Sequence, residues 1–271
     1  MGPGSVPPVP PMRLAGRTAL VTGGNRGIGA EICRRLAAEG ADVAVNYFPP
    51  EPGAAGQAEA VAAAVRAQAR MSLTVGADVG NAADVSRMVG IVESAFGRID
   101  ILVNNAGVAI FTDVFDTTEA IWDRTFATNV KGAFLCSQAV ARGMVERHYG
   151  KIINIASTAS VVATVPPMPH YIASKAALRG LTQALAIALG KYNINVNAVG
   201  PSTTHTPMAA PFLENPEIRR REEEANPMKR LGTVEDVAAC VGFLASDDAR
   251  QVNGHLLMVD GGLTSRSPQP E

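Results

Sequence analysis

The sequence is poor in cysteine, in net charge and in long apolar runs, and each shortage excludes a class of protein. Its three cysteines (Cys33, Cys136 and Cys240) lie far apart without a CxxC pair, so neither a disulfide framework nor a metal site is expected. The 24 Lys and Arg residues nearly balance the 25 Asp and Glu residues, so the overall charge attracts neither nucleic acid nor an anionic membrane. No apolar run approaches the roughly 18 residues of a membrane-spanning helix. We therefore expect a cytoplasmic protein without a nucleic-acid or membrane partner.

Apolar residues are plentiful, and they make up 47% of the 271 residues, as in a globular chain. Residues 1–12 are rich in Pro and Gly without the apolar core of a signal peptide, and we interpret them as a disordered tail or tag remnant. Residues 265–271 form a similar tail. Between them the absence of repeats and linkers predicts a single domain over residues 13–264.

The domain alternates short apolar runs with longer amphipathic ones. Such alternation is typical of βαβ units, in which buried parallel strands carry helices on both faces of a doubly wound sheet. We predict strands at 18–21, 43–46, 73–75, 101–103, 152–155, 195–199 and 256–259, and helices at 28–39, 54–70, 83–96, 117–145, 171–189 and 234–244. Ligands bind at the carboxyl ends of the strands in this α/β fold class.

A glycine cluster follows the first predicted strand and leads into a helix. The segment 22–29 reads TGGNRGIG, and its missing Cβ atoms would let the backbone approach a dinucleotide pyrophosphate at the helix N-terminus. A tight turn without a ligand is the weaker alternative. The segment predicts a dinucleotide site.

The residues near this loop indicate which dinucleotide it takes. Sites for NAD usually carry an acid at the end of the second strand, where this chain has Asn46 and Tyr47 and no acid before Glu51. Arg26 within the loop could pair with a 2′-phosphate, although a solvated arginine is the alternative. This pattern favours NADP(H), with NAD(H) still possible.

Tyr171 and Lys175 are spaced to lie on one face of a helix. A tyrosine has a pKa near 10, and a neighbouring ammonium would lower that pKa towards neutrality. Ser157 follows the strand 152–155 and could return to the same strand-end cleft.

These motifs together resemble the short-chain dehydrogenase/reductase family over roughly residues 13–263. The matches are TGGNRGIG at 22–29, Asp78-Val79, NNAG at 104–107, Asn129, Ser157, Tyr171 with Lys175, and VDGG at 259–262. The resemblance implies a Rossmann-type seven-stranded parallel sheet of order 3-2-1-4-5-6-7. It also implies a homotetramer (or dimer) paired through the helices at 117–145 and 171–189.

The resemblance also implies site roles. Tyr171 would be the general acid or base, Ser157 would hydrogen-bond the substrate oxygen, and Lys175 would hold the ribose and depress the Tyr171 pKa. Asn129 would anchor a relay water. The implied cofactor-binding residues are Gly23, Asn25, Arg26, Gly27, Ile28, Gly29, Asn46, Tyr47, Asp78, Val79, Asn105, Ala106, Gly107, Tyr171, Lys175 and Thr206.

The leading hypothesis is an NADP(H)-dependent oxidoreductase of a small-molecule carbonyl or secondary alcohol. One alternative is a 3-oxoacyl-thioester reductase that serves an acyl carrier protein, whose acidic surface could meet Arg147, His148, Lys151 and Lys191. Another is a non-catalytic dinucleotide sensor or scaffold, which would have no need of the acid Tyr171.

Overall fold

The computed structural model describes residues 12–163 and 168–265. Residues 1–11 and 266–271, which carry nearly all of the two predicted tails, lie outside the described residues. At the C-terminal end of the described chain, Leu263–Ser265 forms one turn of 3₁₀ helix.

The described residues form a seven-stranded sheet of order β3-β2-β1-β4-β5-β6-β7, in which every neighbouring pair is parallel. The predicted fold class and strand order are confirmed. The strands are β1 Thr18–Val21, β2 Asp42–Tyr47, β3 Ser72–Gly76, β4 Ile101–Asn104, β5 Gly150–Ile155, β6 Ile194–Pro201 and β7 Leu256–Val259.

The central strands are buried on both faces, which explains their continuous apolar sequence. Along β1, Leu20 packs into one core while its neighbours Ala19 and Val21 pack into the other. Successive side chains of a strand point to opposite faces, so one short run of apolar residues supplies both cores.

Helices cover both faces of the sheet. One core holds Leu36, Val61 and Val241 from α1, α2 and α9, and the other holds Val89 and Val140 from α3 and α5. The helices are α1 Gly27–Ala38, α2 Ala54–Arg66, α3 Ala82–Phe96, α4 Glu119–Phe126, α5 Ala133–Arg147, α6 Pro169–Gly190, α7 Ala210–Leu213, α8 Pro216–Ala225 and α9 Val234–Ala245. None of these helices is long and apolar enough to cross a membrane.

Two predicted helices are wrong in extent. The predicted helix 117–145 is interrupted by a π-helical segment, Ala127–Gly132, so that α4 and α5 are separate. Gly132 lets this segment approach the turn that follows β3, because a Cβ there would lie 2.7 Å from Val79 Cγ2. The predicted helix 54–70 stops at Arg66, and Ala69 adopts a left-handed conformation with φ of 57°.

Candidate active site

The carboxyl ends of the strands open into a cavity of about 920 Å³. Its lining contains nearly all of the residues that the sequence analysis assigned to the site. These are Gly23, Asn25, Arg26, Gly27, Ile28, Gly29, Asn46, Asp78, Val79, Asn105, Ala106, Gly107, Ser157, Tyr171, Lys175 and Thr206. Tyr47 and Asn129 are the assigned residues that do not line it.

The glycine loop has the shape of an anion cradle. Gly23 and Gly27 adopt positive φ angles of 59° and 53°, and a Cβ on Gly29 would lie 2.3 Å from the Gly23 carbonyl oxygen. At the start of α1, no side chain caps the N-terminus and no acid lies in the first turn. The free N–H groups therefore remain available to an anion. This arrangement fits the pyrophosphate of a dinucleotide.

At the end of β2, the Asn46 and Tyr47 side chains contact neighbouring parts of the protein. The Asn46 side chain is buried and fully engaged: Oδ1 accepts the Gly23 N–H at 3.1 Å, and Nδ2 donates to the carbonyl oxygens of Tyr47, Val75 and Ala77 at 3.2 Å each. The Tyr47 ring lies against β3, where a Cβ on Gly76 would be 3.2 Å from Oη. Both side chains therefore serve the local structure.

The ends of β1 and β4 are joined by hydrogen bonds. Asn105 Nδ2 donates to the carbonyl oxygens of Thr22 and Gly23 at 2.9 Å each, and Thr22 Oγ1 accepts the N–H groups of Asn105 and Ala106 at 3.0 Å. These bonds fix the glycine loop against the cavity floor. Thr22 was not assigned to the site from the sequence, and its position directly before the glycines is the feature that could have identified it.

Asp78 and Val79 follow β3 and line the cavity. Asp78 Oδ1 accepts the Gly80 N–H at 2.8 Å, while the N–H of Asp78 donates to Asp84 Oδ2 at 2.9 Å. These bonds hold the turn between β3 and α3 in one conformation.

Ser157, Tyr171 and Lys175 converge at the other end of the cavity. Tyr171 lies in the first turns of α6, and Lys175 follows one turn later with Nζ 5.6 Å from the Tyr171 ring centroid. Lys175 Nζ donates to the carbonyl oxygen of Ile155 at 2.8 Å, and the Ser157 hydroxyl lies close enough to Tyr171 to lower the Tyr171 pKa. A proton donor, a hydroxyl and an ammonium therefore share one pocket.

In the ligand-free protein the pKa of Tyr171 is shifted upwards. Burial raises the pKa of Tyr171 above its usual value, and the hydrogen bond from Ser157 only partly opposes that effect. The Lys175 ammonium points to the Ile155 carbonyl, while burial lowers the pKa of Lys175 to about 8. In the protein without ligand, Tyr171 is thus a phenol that can donate a proton.

Asn129 lies within the π-helical segment. Its Oδ1 accepts the N–H of Val108 at 2.8 Å, and its Nδ2 donates to the Val108 carbonyl and to Ser174 Oγ, each at 3.0 Å. Asn129 therefore ties the loop after β4 to α6. π-helical turns inside α-helices often mark functional sites.

Arg26 is paired with an acid. Its Nη1 lies 2.5 Å from Glu51 Oε1, and both side chains line the cavity. The neighbouring Asn25 Nδ2 donates to Gln57 Oε1 at 2.8 Å. From the sequence, this pair could have been suspected because an acid, Glu51, follows β2 by a few residues.

Apolar side chains line the cavity around Tyr171. The Phe111 and Phe212 rings stack with centroids 6.0 Å apart and an interplanar angle of 12°, and Met168 and Met208 lie in the same lining. Thr206 lies against the glycine loop, where a Cβ on Gly27 would be 3.6 Å from it. The charged side chains of the described lining are Arg26, Glu51, Asp78, Arg124 and Lys175.

The cationic residues suggested for a carrier protein lie elsewhere. Arg147, His148 and Lys151 flank the amino end of β5, opposite the cavity. Lys151 is buried with Nζ 2.8 Å from Asn195 Oδ1, and Arg147 donates to the Ile99 carbonyl at 2.8 Å. Their position away from the cavity, and the burial of Lys151, argue against a docking patch beside the active site.

Comparisons with known proteins agree with this geometry. A family model described as enoyl-(acyl carrier protein) reductase matches residues 23–264. The chain is 40% identical over 257 residues to 2-(S)-hydroxypropyl-CoM dehydrogenase 3 of Xanthobacter autotrophicus, covering 93% of this chain and 98% of that protein. It is 38% identical over 247 residues to the 3-oxoacyl-[acyl-carrier-protein] reductase FabG of Staphylococcus epidermidis, covering 91% and 98% of the two chains.

Comparison with solved structures also finds dehydrogenases. A short chain dehydrogenase from Burkholderia cenocepacia in complex with NADP superimposes with a TM-score of 0.84 at 39% identity, covering 93% of this chain and 99% of that one. The fold and the cavity define a Rossmann-type oxidoreductase that uses a nicotinamide dinucleotide. The chain belongs to the short-chain dehydrogenase/reductase family, and it acts on alcohol or carbonyl groups.

Proposed function

We propose that the protein is an NADP(H)-preferring oxidoreductase that interconverts a small carbonyl compound and its secondary alcohol. The observation that carries this proposal is the convergence of Ser157, Tyr171 and Lys175 in the cavity that begins at the glycine loop. A non-catalytic sensor would have no use for a buried phenol beside an ammonium.

Each of the three side chains has one task in the reaction. Tyr171 donates its proton to the carbonyl oxygen in reduction, and Ser157 hydrogen-bonds the same oxygen. Lys175 holds the ribose hydroxyls and supplies positive charge beside Tyr171. The bound nicotinamide supplies or accepts the hydride.

Asn129 positions the loop after β4 and helix α6. Its side-chain bonds to Val108 and Ser174 hold the loop and α6 around the reacting groups. A relay water would therefore be held by an Asn129 atom outside these bonds, such as the main-chain carbonyl.

The cofactor-binding set extends along the cavity from the glycine loop to Thr206. Gly23 to Gly29 and the N-terminus of α1 receive the pyrophosphate, Asp78 and Val79 meet the adenine, and Asn105 to Gly107 contact the middle of the dinucleotide. We assign the NADP(H) preference to Arg26, because a guanidinium forms paired, charge-assisted bonds with a phosphate. The NADP complex of a relative supports this choice.

The substrate pocket favours an apolar carbonyl compound. Phe111, Met168, Met208 and Phe212 line the cavity near Tyr171 and carry no charge. Burial of an apolar substituent against them is favourable by about 25 cal/mol per Å².

A 3-oxoacyl-thioester reductase is the second candidate, because the FabG relative carries that name at 38% identity. The positions of Arg147 and Lys151 weigh against it.

We also propose a homotetramer in the cytoplasm. Exposed apolar side chains on the expected pairing helices support the assembly, namely Trp122, Phe134 and Ile187, which is 85% exposed. The three cysteines are unpaired, as expected in a reducing compartment.

The test is NADPH oxidation by the purified protein with a panel of apolar ketones, sugars and 3-oxoacyl thioesters. Turnover that is fastest with apolar ketones is expected. Absence of turnover on every carbonyl, with NADPH bound, would contradict the assignment as an enzyme, and preference for acyl thioesters would favour the second candidate.

A further inference from the structure

An ion pair joins Arg26 of the loop after β1 to Glu51 of the loop after β2, and its two members have opposite effects on a bound dinucleotide. Arg26 Nη1 and Glu51 Oε1 are 2.5 Å apart, and the two side chains remain 47% and 30% exposed. Both line the cavity, so a ligand can reach either of them. A guanidinium attracts a 2′-phosphate, whereas a carboxylate repels it and accepts a hydrogen bond from a 2′-hydroxyl.

Glu51 is held in place by the backbone around it. Its N–H donates to the Phe48 carbonyl at 3.1 Å, and its own carbonyl accepts the Ala54 N–H at 3.2 Å. Pro49 and Pro50 fix the φ angles between Phe48 and Glu51. The main chain of Glu51 is therefore fixed beside the loop that carries Arg26.

Asn46 stands at the usual position for 2′ recognition, and its side chain is already hydrogen-bonded within the protein. The Asn46 side-chain oxygen accepts a hydrogen bond from the Gly23 N–H, and its amino group donates to three carbonyl oxygens. Among the other charged groups of the described lining, Asp78 accepts a hydrogen bond from the Gly80 N–H and Lys175 donates to the Ile155 carbonyl, while Arg124 lies on α4. Arg26 and Glu51 remain as the pair beside the glycine loop.

We propose that Glu51 sets the choice between NADPH and NADH by competing with the 2′-phosphate for Arg26. The phosphate must displace or share the Glu51 carboxylate, which weakens NADPH, while the 2′-hydroxyl of NADH gains an acceptor. Glu51 thus limits the preference that Arg26 alone would give. This inference rests on the dinucleotide site of the proposed function.

The test uses two probes without a nicotinamide, adenosine 2′,5′-bisphosphate and AMP, with dissociation constants measured by titration calorimetry. Glu51→Gln is expected to tighten the bisphosphate on the order of tenfold, which corresponds to about 1.4 kcal/mol, and to leave AMP within about twofold. Arg26→Ala is expected to weaken the bisphosphate. In the double variant the gain from Glu51→Gln should shrink, because no guanidinium remains to be released.

Glu59→Gln is the matched control. Glu59 lies on α2, pairs with Arg66 and does not line the cavity, so its substitution removes the same charge elsewhere. Equal tightening by Glu59→Gln would assign the effect to overall charge and overturn the proposal. Weakening of the bisphosphate by Glu51→Gln would also overturn it, because Glu51 would then position Arg26 for the phosphate.

An unchanged affinity in Glu51→Gln would remove Glu51 from cofactor choice and leave the oxidoreductase assignment intact. Failure of both probes and of NADPH to bind the unmodified protein would instead remove the dinucleotide site, and the proposed function with it.

Discussion

At the residue scale, Lys175 is the group whose charge changes within reach of ordinary assay conditions. Burial lowers its pKa to about 8, so it is protonated below that pH and loses its charge above it. Tyr171 keeps its proton over the same range, because burial raises its pKa. The alkaline limit of activity should therefore belong to Lys175.

We predict that kcat/KM for NADPH in carbonyl reduction is constant below pH 7 and falls with an apparent pKa of about 8. The value of kcat/KM with respect to the dinucleotide reports groups of the ligand-free protein. Lys175→Gln should have low activity without this decline. A profile of the unmodified enzyme that stays flat well above pH 8 would contradict the role of Lys175.

The residue scale is also where sequence reasoning reached its limit. The glycines, Ser157, Tyr171 and Lys175 could be assigned because their spacing after strands and along a helix fixes their position. Asn46 could not, because its hydrogen-bond partners come from β3 and the glycine loop. An Asn46→Asp substitution would place a carboxylate oxygen against three carbonyls and destabilise this corner instead of creating a ribose acceptor.

At the scale of elements, the segment between β6 and α9 lines the cavity through residues 202–212 and continues into the exposed helix α8. All ten residues of α8 are described, and none is buried. Thr203 Oγ1 donates to Glu222 Oε2 at 2.6 Å, and Phe212 stacks on Phe111. Few buried contacts make such a segment prone to local opening.

We predict that residues 203–228 gain amide-exchange protection when NADPH and a substrate analogue bind, because closure of this lid excludes water from the reaction. Exchange followed by mass spectrometry should show slower uptake in α8 and little change in α9. Equal uptake in α8 with and without ligands would contradict closure.

The elements themselves were largely predictable. Strand positions followed from buried apolar runs, whereas the π-helical segment and the left-handed Ala69 after α2 were not visible in the helical pattern. In the π-helical segment, Gly132 lies against Val79 and Asn129 accepts a hydrogen bond from Val108. These residues are distant in sequence, so a local pattern does not show the contacts.

At the scale of the whole molecule, we expect the exposed apolar side chains of α4, α5 and α6 to be buried in a subunit interface. Ile187 is 85% exposed within the Ala-rich run at 184–188, where helices can approach closely. Exposed apolar side chains on the helices that the family pairs between subunits support an interface there.

We predict that Ile187→Glu lowers the oligomeric mass measured by light scattering, because a buried unpaired carboxylate would oppose the helix pairing. Ile91→Glu adds the same charge to an exposed position of α3 and should leave the mass unchanged. A mass unaffected by Ile187→Glu would place the interface elsewhere.

The central claim is that Tyr171 supplies the proton in a hydride-transfer reaction, and Tyr171→Phe tests it most directly. The substitution keeps the ring and removes the hydroxyl that meets Ser157. Turnover of a carbonyl substrate found in the panel should fall on the order of 10²–10⁴-fold, while the dissociation constant of NADPH stays within about twofold. Turnover close to that of the unmodified enzyme would contradict the account.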